Sequence, residues 1–199
     1  MFLDGLEDAY EPGRAMGSFA EETCTEYQFT REAQDEFALR SLSRANEAIA
    51  SGAFDREITP VEIVTRKGTE TVSIDEQPGK AMPAKIPTLK PAFAKDGTIT
   101  AANASSISDG AAALVVTKAS VAAAMGLPVA ATIVAWATNS QEPAKFTSAP
   151  VPAIRKVMEK AGWGMDDVDL FEINEAFAMV PTIAMKELGI PAEKLNVNG

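Results

Sequence analysis

The hydrophobic and polar positions follow different periods in the two halves of the chain. Over residues 30–51, apolar side chains recur at helical spacing, and Gly52 is placed to end the helix. Residues 57–63 alternate like a half-buried strand, and residues 71–74 resume that pattern after the Lys67-Gly68 turn. The first half therefore predicts one long amphipathic helix followed by a β-hairpin.

In the second half, short apolar runs alternate with helical patterns. Ala111 to Val116 is apolar at every position, and Ala131 to Trp136 is apolar except at Thr132, which is typical of strands buried on both faces. Leu170 to Ile173 predicts a third strand. Helices are predicted over Lys118 to Met125, Val151 to Ala161 and Glu175 to Leu188. Alternating strands and helices indicate a layered α/β sheet.

Between these two halves lies a segment without a clear period, residues 76–93. It contains Pro78, Pro83, Pro87 and Pro91, which favour an extended, irregular path. Long irregular loops in compact domains are often functional, although a simple linker is the alternative.

Composition and charge exclude some functions. The chain has 199 residues, 46% of them hydrophobic, and a net charge of −10. An acidic chain is a poor match for nucleic acid, which is bound through cationic contacts to phosphate. No apolar run is long enough to span a bilayer. A single cysteine, Cys24, excludes an internal disulfide and fits a reducing compartment, so we expect a cytoplasmic protein.

The candidate chemistry lies at Asn174-Glu175, directly after the predicted strand 170–173. Ligands of open α/β sheets bind at the carboxyl ends of strands, which makes these polar groups candidates for a site. The alternative is that Asn174 only caps the following helix. The chain has no histidine. Cys24 lies among acidic residues that raise the pKa of a thiol, which favours a structural role.

Several segments, taken together and in order, resemble those of the thiolases, which condense or cleave acyl groups on coenzyme A. The resemblance covers essentially the whole chain. Its most specific segments are Met16-Gly17, Asn103-Ala104-Ser105, Asp109-Gly110-Ala111-Ala112, Asn174 to Ala178 and Asn196-Val197-Asn198-Gly199.

The resemblance implies a fold and a division into domains. The expected fold class is α/β, a partial thiolase-like layered αβαβα fold with an irregular α+β loop domain. Residues 1–108 would form the loop domain that contributes to the coenzyme A tunnel. Residues 109–128 would be the last strand and helix of the amino-terminal half, and residues 129–199 the start of the carboxyl-terminal half.

The resemblance also implies an activity. A thiolase catalyses thiolytic cleavage or Claisen condensation, 2 acetyl-CoA = acetoacetyl-CoA + CoA, through a cysteine acyl-enzyme. The family's two cysteines and its histidine match no position here, so the chain is expected to be an internal, inactive piece of an acetyl-CoA C-acetyltransferase of fatty acid metabolism. The acyl-CoA is the substrate, no cofactor is expected, and the parent would be a homodimer or homotetramer.

Individual residues acquire expected roles by the same resemblance. Asn174 would hold a water in the oxyanion hole. Ser105 would hydrogen-bond the pantetheine arm, and Phe177 would form a wall of the acyl pocket. Ala101 would be small enough to let a ligand approach the backbone. Leu6, Met16, Phe93 and Phe146 would line the tunnel or its acyl end, and core packing is the alternative for these four residues and for Phe177.

Other functions remain open at this point. Ala15 stands where many biosynthetic thiolases have a histidine, which leaves the chain-length class undecided. A degradative 3-ketoacyl-CoA thiolase or a sterol-carrier-type thiolase is therefore an alternative within the superfamily. A non-catalytic thiolase-like module that binds acyl-CoA or a partner protein is the alternative from another class.

Overall fold

The computed structural model describes residues 5–199; the first four residues of the predicted 1–108 domain lie outside the described part. The helices and strands follow in the order α1 (Met16–Tyr27), α2 (Arg31–Ser51), β1 (Val61–Thr65), β2 (Gly68–Val72), α3 (Glu76–Lys80), α4 (Ala119–Met125), α5 (Pro150–Ala161) and α6 (Met179–Leu188).

The long helix predicted over residues 30–51 is confirmed as α2. Thr30 caps its amino end, where the hydroxyl oxygen accepts a hydrogen bond from the backbone N–H of Ala33 at 3.2 Å. Gly52 ends it in the left-handed conformation, with φ of +68°. Both ends therefore depend on local residue chemistry.

The β-hairpin is also confirmed, but both strands lie closer to the turn than predicted, and β1 is exposed along its whole length instead of half-buried. Strands β1 and β2 pair antiparallel, with Val61 opposite Val72 and Thr65 opposite Gly68. Gly68 adopts φ of +128°, which side-chain-bearing residues rarely do, so it can close the tight turn.

The sequence interpretation missed α1. Its buried face includes Gly17, Ala20 and Cys24, at the spacing of three and four residues that indicates a helix. No side chain caps its amino end, and the acidic pair Glu21-Glu22 interrupts the apolar pattern. Glu21 is buried, against the usual preference of a carboxylate, because it binds another segment.

Two predicted strands are wrong. Residues 111–116 and 131–136 have no regular secondary structure, and their large apolar side chains are exposed, up to 95% for Val115. Buried strands need neighbours on both edges and cover on both faces. Within residues 5–199, the named strands form only the β1–β2 sheet, so neither apolar run has a ladder partner.

The third predicted strand, Leu170 to Ile173, is reduced to one bridge. Phe171 pairs in parallel with Leu195. Its N–H donates to the carbonyl of Lys194 at 2.8 Å, and its carbonyl accepts from the N–H of Asn196 at 2.9 Å.

The last helix begins later than predicted, at Met179 instead of Glu175. The carbonyls of Glu175 and Ala176 accept hydrogen bonds from Ser105, and the N–H of Ala178 donates to Asn103, so these groups are engaged outside the helix. The irregular segment 76–93 is not extended throughout, since it contains α3 and a 3₁₀ turn at Pro83–Thr88.

The core is built around α6, which packs against α1 and α5. The large buried side chains of this core include Phe37, Ile99, Phe171, Ile173, Met179, Ile183 and Leu195. Along residues 5–199, no helix combines the length and the hydrophobicity that crossing a membrane requires.

Candidate functional site

A short antiparallel pairing joins residues 103–105 to residues 175–178. Ala104 and Phe177 form its central bridge. The N–H of Ala178 donates to the carbonyl of Asn103 at 2.8 Å, and the N–H of Ser105 donates to the carbonyl of Ala176 at 3.0 Å. Two of the segments singled out in the sequence, distant along the chain, are therefore adjacent in space.

Ser105 adds a side-chain bond to this pairing. Its hydroxyl donates to the backbone carbonyl of Glu175 at 2.7 Å, while the residue remains exposed. A hydroxyl has one proton to donate and two lone pairs. With its proton committed to Glu175, Ser105 can serve a ligand as an acceptor.

Ser105 lies at the edge of a cavity of about 710 Å³. Ala101 also lines it, so two of the predicted site residues meet here. The α2 face supplies apolar wall from Phe37 and Leu42, and the segment after β2 supplies Lys85. The volume is in the range of small-molecule sites, which are mostly apolar with a few polar groups.

A second group of predicted residues forms an aromatic cluster around Phe177, which is 8% exposed. Phe93 meets its ring edge-on, with centroids 6.2 Å apart, and the Phe146 centroid lies at 6.4 Å. Gly17 makes room for Phe93, since a Cβ at that position would overlap the ring. A larger residue at position 17 would therefore force the Phe93 ring to move.

Asn174 lies beside this cluster, in a cavity of about 310 Å³ that is also lined by Phe146, Ile154 and Glu172. Its side chain is exposed. The N-cap alternative is wrong, because the cap position of α6 is Ala178. Asn174 therefore presents an amide that can both donate and accept hydrogen bonds at the wall of a cavity.

The backbone on both sides of Asn174 is held by side chains. The amide of Asn196 binds Ile173 twice, accepting from its N–H at 2.8 Å and donating to its carbonyl at 2.9 Å. The carboxylate of Glu175 accepts from the Nδ2 of Asn196 and from the hydroxyl of Ser41, both at 2.7 Å.

Arg44 fixes the turn that carries Asn196. Its guanidinium donates to the carbonyls of Leu195 at 2.7 Å and Ala192 at 2.9 Å. The sequence interpretation missed both Ser41 and Arg44. They lie three residues apart on the predicted helix and thus share a face, but nothing local indicates what that face contacts.

A separate network holds the loop before Ser105. The buried carboxylate of Glu21 accepts from the N–H groups of Thr98 and Ile99, both at 2.9 Å. Asp35 accepts from the amide of Asn103 at 3.0 Å and from Arg31 at 2.7 Å. These bonds attach residues 98–103 to α1 and α2.

Two pKa values are shifted near these sites. Burial raises the pKa of Glu172, and the neighbouring carboxylate of Glu175 raises it further. Burial, with a smaller effect from Glu21, raises the pKa of Cys24 to about 11. The thiol is therefore protonated and buried, in agreement with its predicted structural role.

Two predicted residues remain apart from both groups. Leu6 is 39% exposed, and Met16 is half-buried at the start of α1; neither lines the cavities described above. Within residues 5–199, no group of three or more Cys, Asp or Glu side chains is arranged to hold a metal ion.

Comparison with protein families gives two matches that together cover nearly all of the chain. Residues 1–120 match the model of the thiolase N-terminal domain, and residues 127–199 match that of the thiolase C-terminal domain. The junction between the two matches, residues 121–126, coincides with most of α4 and the Gly126 that ends it.

Similar proteins carry consistent names. The chain is 50% identical to an acetyl-CoA acetyltransferase of Yarrowia lipolytica over 98% of its length, and 46% identical to the cytosolic acetyl-CoA acetyltransferase of Rattus norvegicus over its whole length. These alignments cover 49% and 51% of the two relatives. The chain thus spans about half the length of the curated relatives it matches.

Solved structures confirm the predicted fold class. The acetyl-CoA acetyltransferase of Bacillus anthracis superposes with a TM-score of 0.94 at 44% identity, over 99% of this chain and 50% of that one. Human mitochondrial 3-ketoacyl-CoA thiolase superposes with a TM-score of 0.88 at 32% identity, over 100% of this chain and 50% of that one. The mixed helix and sheet arrangement is therefore a thiolase-like α/β fold, of which this chain holds a part.

Proposed function

Because this chain belongs to the thiolase family, we propose that the protein carrying it is an acyltransferase that interconverts two acetyl-CoA with acetoacetyl-CoA and CoA. The names of its relatives are the observation that carries the proposal. The nucleophilic cysteine and the acid/base histidine come from outside these 199 residues, which contain no histidine and a single, buried cysteine.

In this proposal, Asn174 holds the water that stabilises the enolate oxygen. Support comes from its exposed amide at the wall of the 310 Å³ cavity, beside the aromatic cluster. A preorganised donor of this kind is worth about 10²- to 10³-fold in rate. The amide stays neutral in the transition state, so it can donate without changing the charge of the site.

In this proposal, the two groups of predicted residues bind different parts of the substrate. The 710 Å³ cavity with Ala101 and Ser105 receives the pantetheine arm, and Ser105 accepts a hydrogen bond from one of its amide N–H groups. The aromatic cluster of Phe93, Phe146 and Phe177 faces the acyl end, where its packing limits chain length.

The remaining expectations stay proposals. The protein uses the acyl-CoA as its substrate without a further cofactor, works in the cytoplasm as the rat relative's name suggests, and assembles as a homodimer or homotetramer. The division into residues 1–108, 109–128 and 129–199 is likewise proposed.

The test is CoA-dependent cleavage of acetoacetyl-CoA by the full-length protein. We expect two acetyl-CoA per acetoacetyl-CoA consumed, and no turnover by the 199-residue chain alone, because it lacks members of the catalytic unit. Full-length protein that binds acetoacetyl-CoA without cleaving it would instead identify a non-catalytic acyl-CoA-binding module.

A degradative 3-ketoacyl-CoA thiolase is the second candidate, supported by the superposition on the human enzyme at 32% identity. The two candidates differ in the substrate with the larger kcat/KM. A clear preference for 3-ketooctanoyl-CoA over acetoacetyl-CoA would select the degradative enzyme, and the reverse would select the acetyltransferase.

A further inference from the structure

Asn174 combines an exposed side chain with a backbone that is held on both sides. Ile173 has both of its backbone polar groups bonded to the amide of Asn196. Glu175 is held through its carboxylate, by Ser41 and Asn196, and through its carbonyl, by Ser105. The backbone of the residue between them is thereby held from both sides.

Glu175 connects parts of the chain that are far apart in sequence. Ser41 lies 134 residues away on α2, and Ser105 lies 70 residues away at the edge of the large cavity. Asn196 lies on the turn that Arg44 holds from the same helix. No other residue of the described chain joins these three segments through its own hydrogen bonds.

We propose that Glu175 is a positioning residue that acts through Asn174. Its carboxylate anchors the 173–175 segment to α2 and to the Asn196 turn, so that the Asn174 amide stays aimed into its cavity. This inference rests on the proposed function, because it assigns Asn174 a task in the reaction.

The geometry explains why a carboxylate suits this position. Both Glu175 partners approach as donors, the hydroxyl of Ser41 to one oxygen and the amide of Asn196 to the other. A carboxylate accepts at both oxygens and makes stronger, charge-assisted bonds. The Asn196 amide cannot rotate to offer its oxygen instead, since it already uses both of its ends on Ile173.

The neutral isostere gives a graded test. In Glu175→Gln, the oxygen can still accept from Asn196, and the amide N–H can donate to the hydroxyl of Ser41, which is able to accept. Both links survive with less strength. In Glu175→Ala, both are lost, and residue 175 is then held only through its carbonyl, by Ser105.

The experiment measures acetoacetyl-CoA cleavage by the full-length enzyme and its variants. We expect Glu175→Ala to lower kcat about 10- to 100-fold with KM changed less than about threefold, as misplaced catalytic groups do. Glu175→Gln should retain most of the activity. The matched control is Glu193→Gln, an exposed carboxylate on the same turn region, which should leave kcat unchanged.

A double-mutant cycle separates positioning from simple destabilisation. If Glu175 acts through Asn174, then Glu175→Ala should cost nothing further in kcat once Asn174→Ala is present. If the kcat losses of the two single variants multiply in the double variant, the proposal is overturned. Ser41→Ala should reproduce part of the kcat loss, with Ser43→Ala on the exposed side of α2 as its control.

A second readout does not depend on activity. Amide hydrogen exchange at residues 173–176 of the full-length protein should accelerate in Glu175→Ala and not in Glu193→Gln. If the wild-type protein has no thiolase activity, the proposed function fails. The exchange measurement still tests whether the Glu175 carboxylate anchors the 173–175 segment. Unchanged exchange at 173–176 would overturn the anchor itself.

Discussion

Two regions of the molecule differ in which side chains they bury. The first is the region around α1 and α2, and the second is the stretch from residue 109 to residue 136. In the first, even carboxylates are buried, because Glu21 and Asp35 each satisfy backbone or side-chain donors. In the second, even large aliphatic side chains are exposed, with Leu114 at 91%. Burial follows the availability of partners, not hydrophobicity alone.

The difference shows what each kind of element needs. A helix such as α2 satisfies its backbone internally and requires only caps and one covered face. An apolar strand satisfies its backbone through neighbours, and it remains irregular where none is at hand. The need to satisfy backbone hydrogen bonds therefore leads to a regular helix in the first region and to irregular, exposed chain in the second.

The largest expected contrast is in amide hydrogen exchange. The N–H groups of Thr98 and Ile99 are bonded to a buried carboxylate, whereas residues 111–116 have no ladder. We expect exchange in the 97–101 region to be about 1,000-fold slower than in residues 111–116. Mass spectrometry of peptic fragments measures both at once, and similar rates would remove the distinction.

Removing the buried carboxylate of Glu21 should make the 97–101 region much less stable. Glu21→Ala leaves the buried N–H of Ile99 and the half-buried N–H of Thr98 without a partner, so we expect a loss of about 2–4 kcal/mol in the free energy of unfolding. Glu22→Ala is the matched control. Its carboxylate is exposed and pairs with Arg14, so the change should stay within about 1 kcal/mol. Urea titration at low protein concentration measures both.

The single thiol reports on the same region. With the pKa of Cys24 raised from 9.0 to about 11, its thiolate fraction at pH 8 falls about 100-fold relative to the unfolded chain. Iodoacetamide should therefore label the native chain at least that much more slowly than the chain in urea. Equal rates would show that α1 is open.

The pH dependence follows from the same shift. The folded state holds the Cys24 proton more tightly than the unfolded state does. The contribution of the protonated thiol to the free energy of unfolding is therefore fully present below pH 9 and is lost as the pH rises from 9 to about 11. Cys24→Ser, compared with the native chain across that window, should flatten the decline in the urea midpoint.

The smallest expected effect concerns the exposed stretch from residue 109 to residue 136. The exposed apolar runs should make the isolated chain prone to aggregation. Val115→Lys with Ile133→Lys should reduce light scattering several-fold, even though the added lysines bring the net charge of −10 closer to zero. The control pair Ser43→Lys with Ala50→Lys, on the exposed face of α2, should not. A soluble monomer of the native chain with a cooperative thermal transition would contradict the aggregation.

The sequence was a good guide where the structure depends on neighbouring residues. The caps of α2, the hairpin turn at Gly68 and the helices α4 and α5 all follow from residue types within a few positions. The late start of α6 could not be predicted, since residues 175–178 bond instead to a segment some 70 residues earlier.

The candidate site divides in the same way. Ser105 and Ala101 meet in one cavity, and Phe93, Phe146 and Phe177 meet in one cluster. Ser41 and Asn196 were not assigned roles, because their importance comes from bonds to Glu175 across the fold. The roles of all these residues in catalysis stay predictions.

The bridge between Ala104 and Phe177 also constrains how the molecule folds. Its two strands can meet only after the intervening chain has closed into a large loop, and the entropic cost of closure rises with loop length. Helices such as α2 form from local contacts and do not wait for that event. We therefore expect the cavities to be late products of folding, assembled on helices that are already in place.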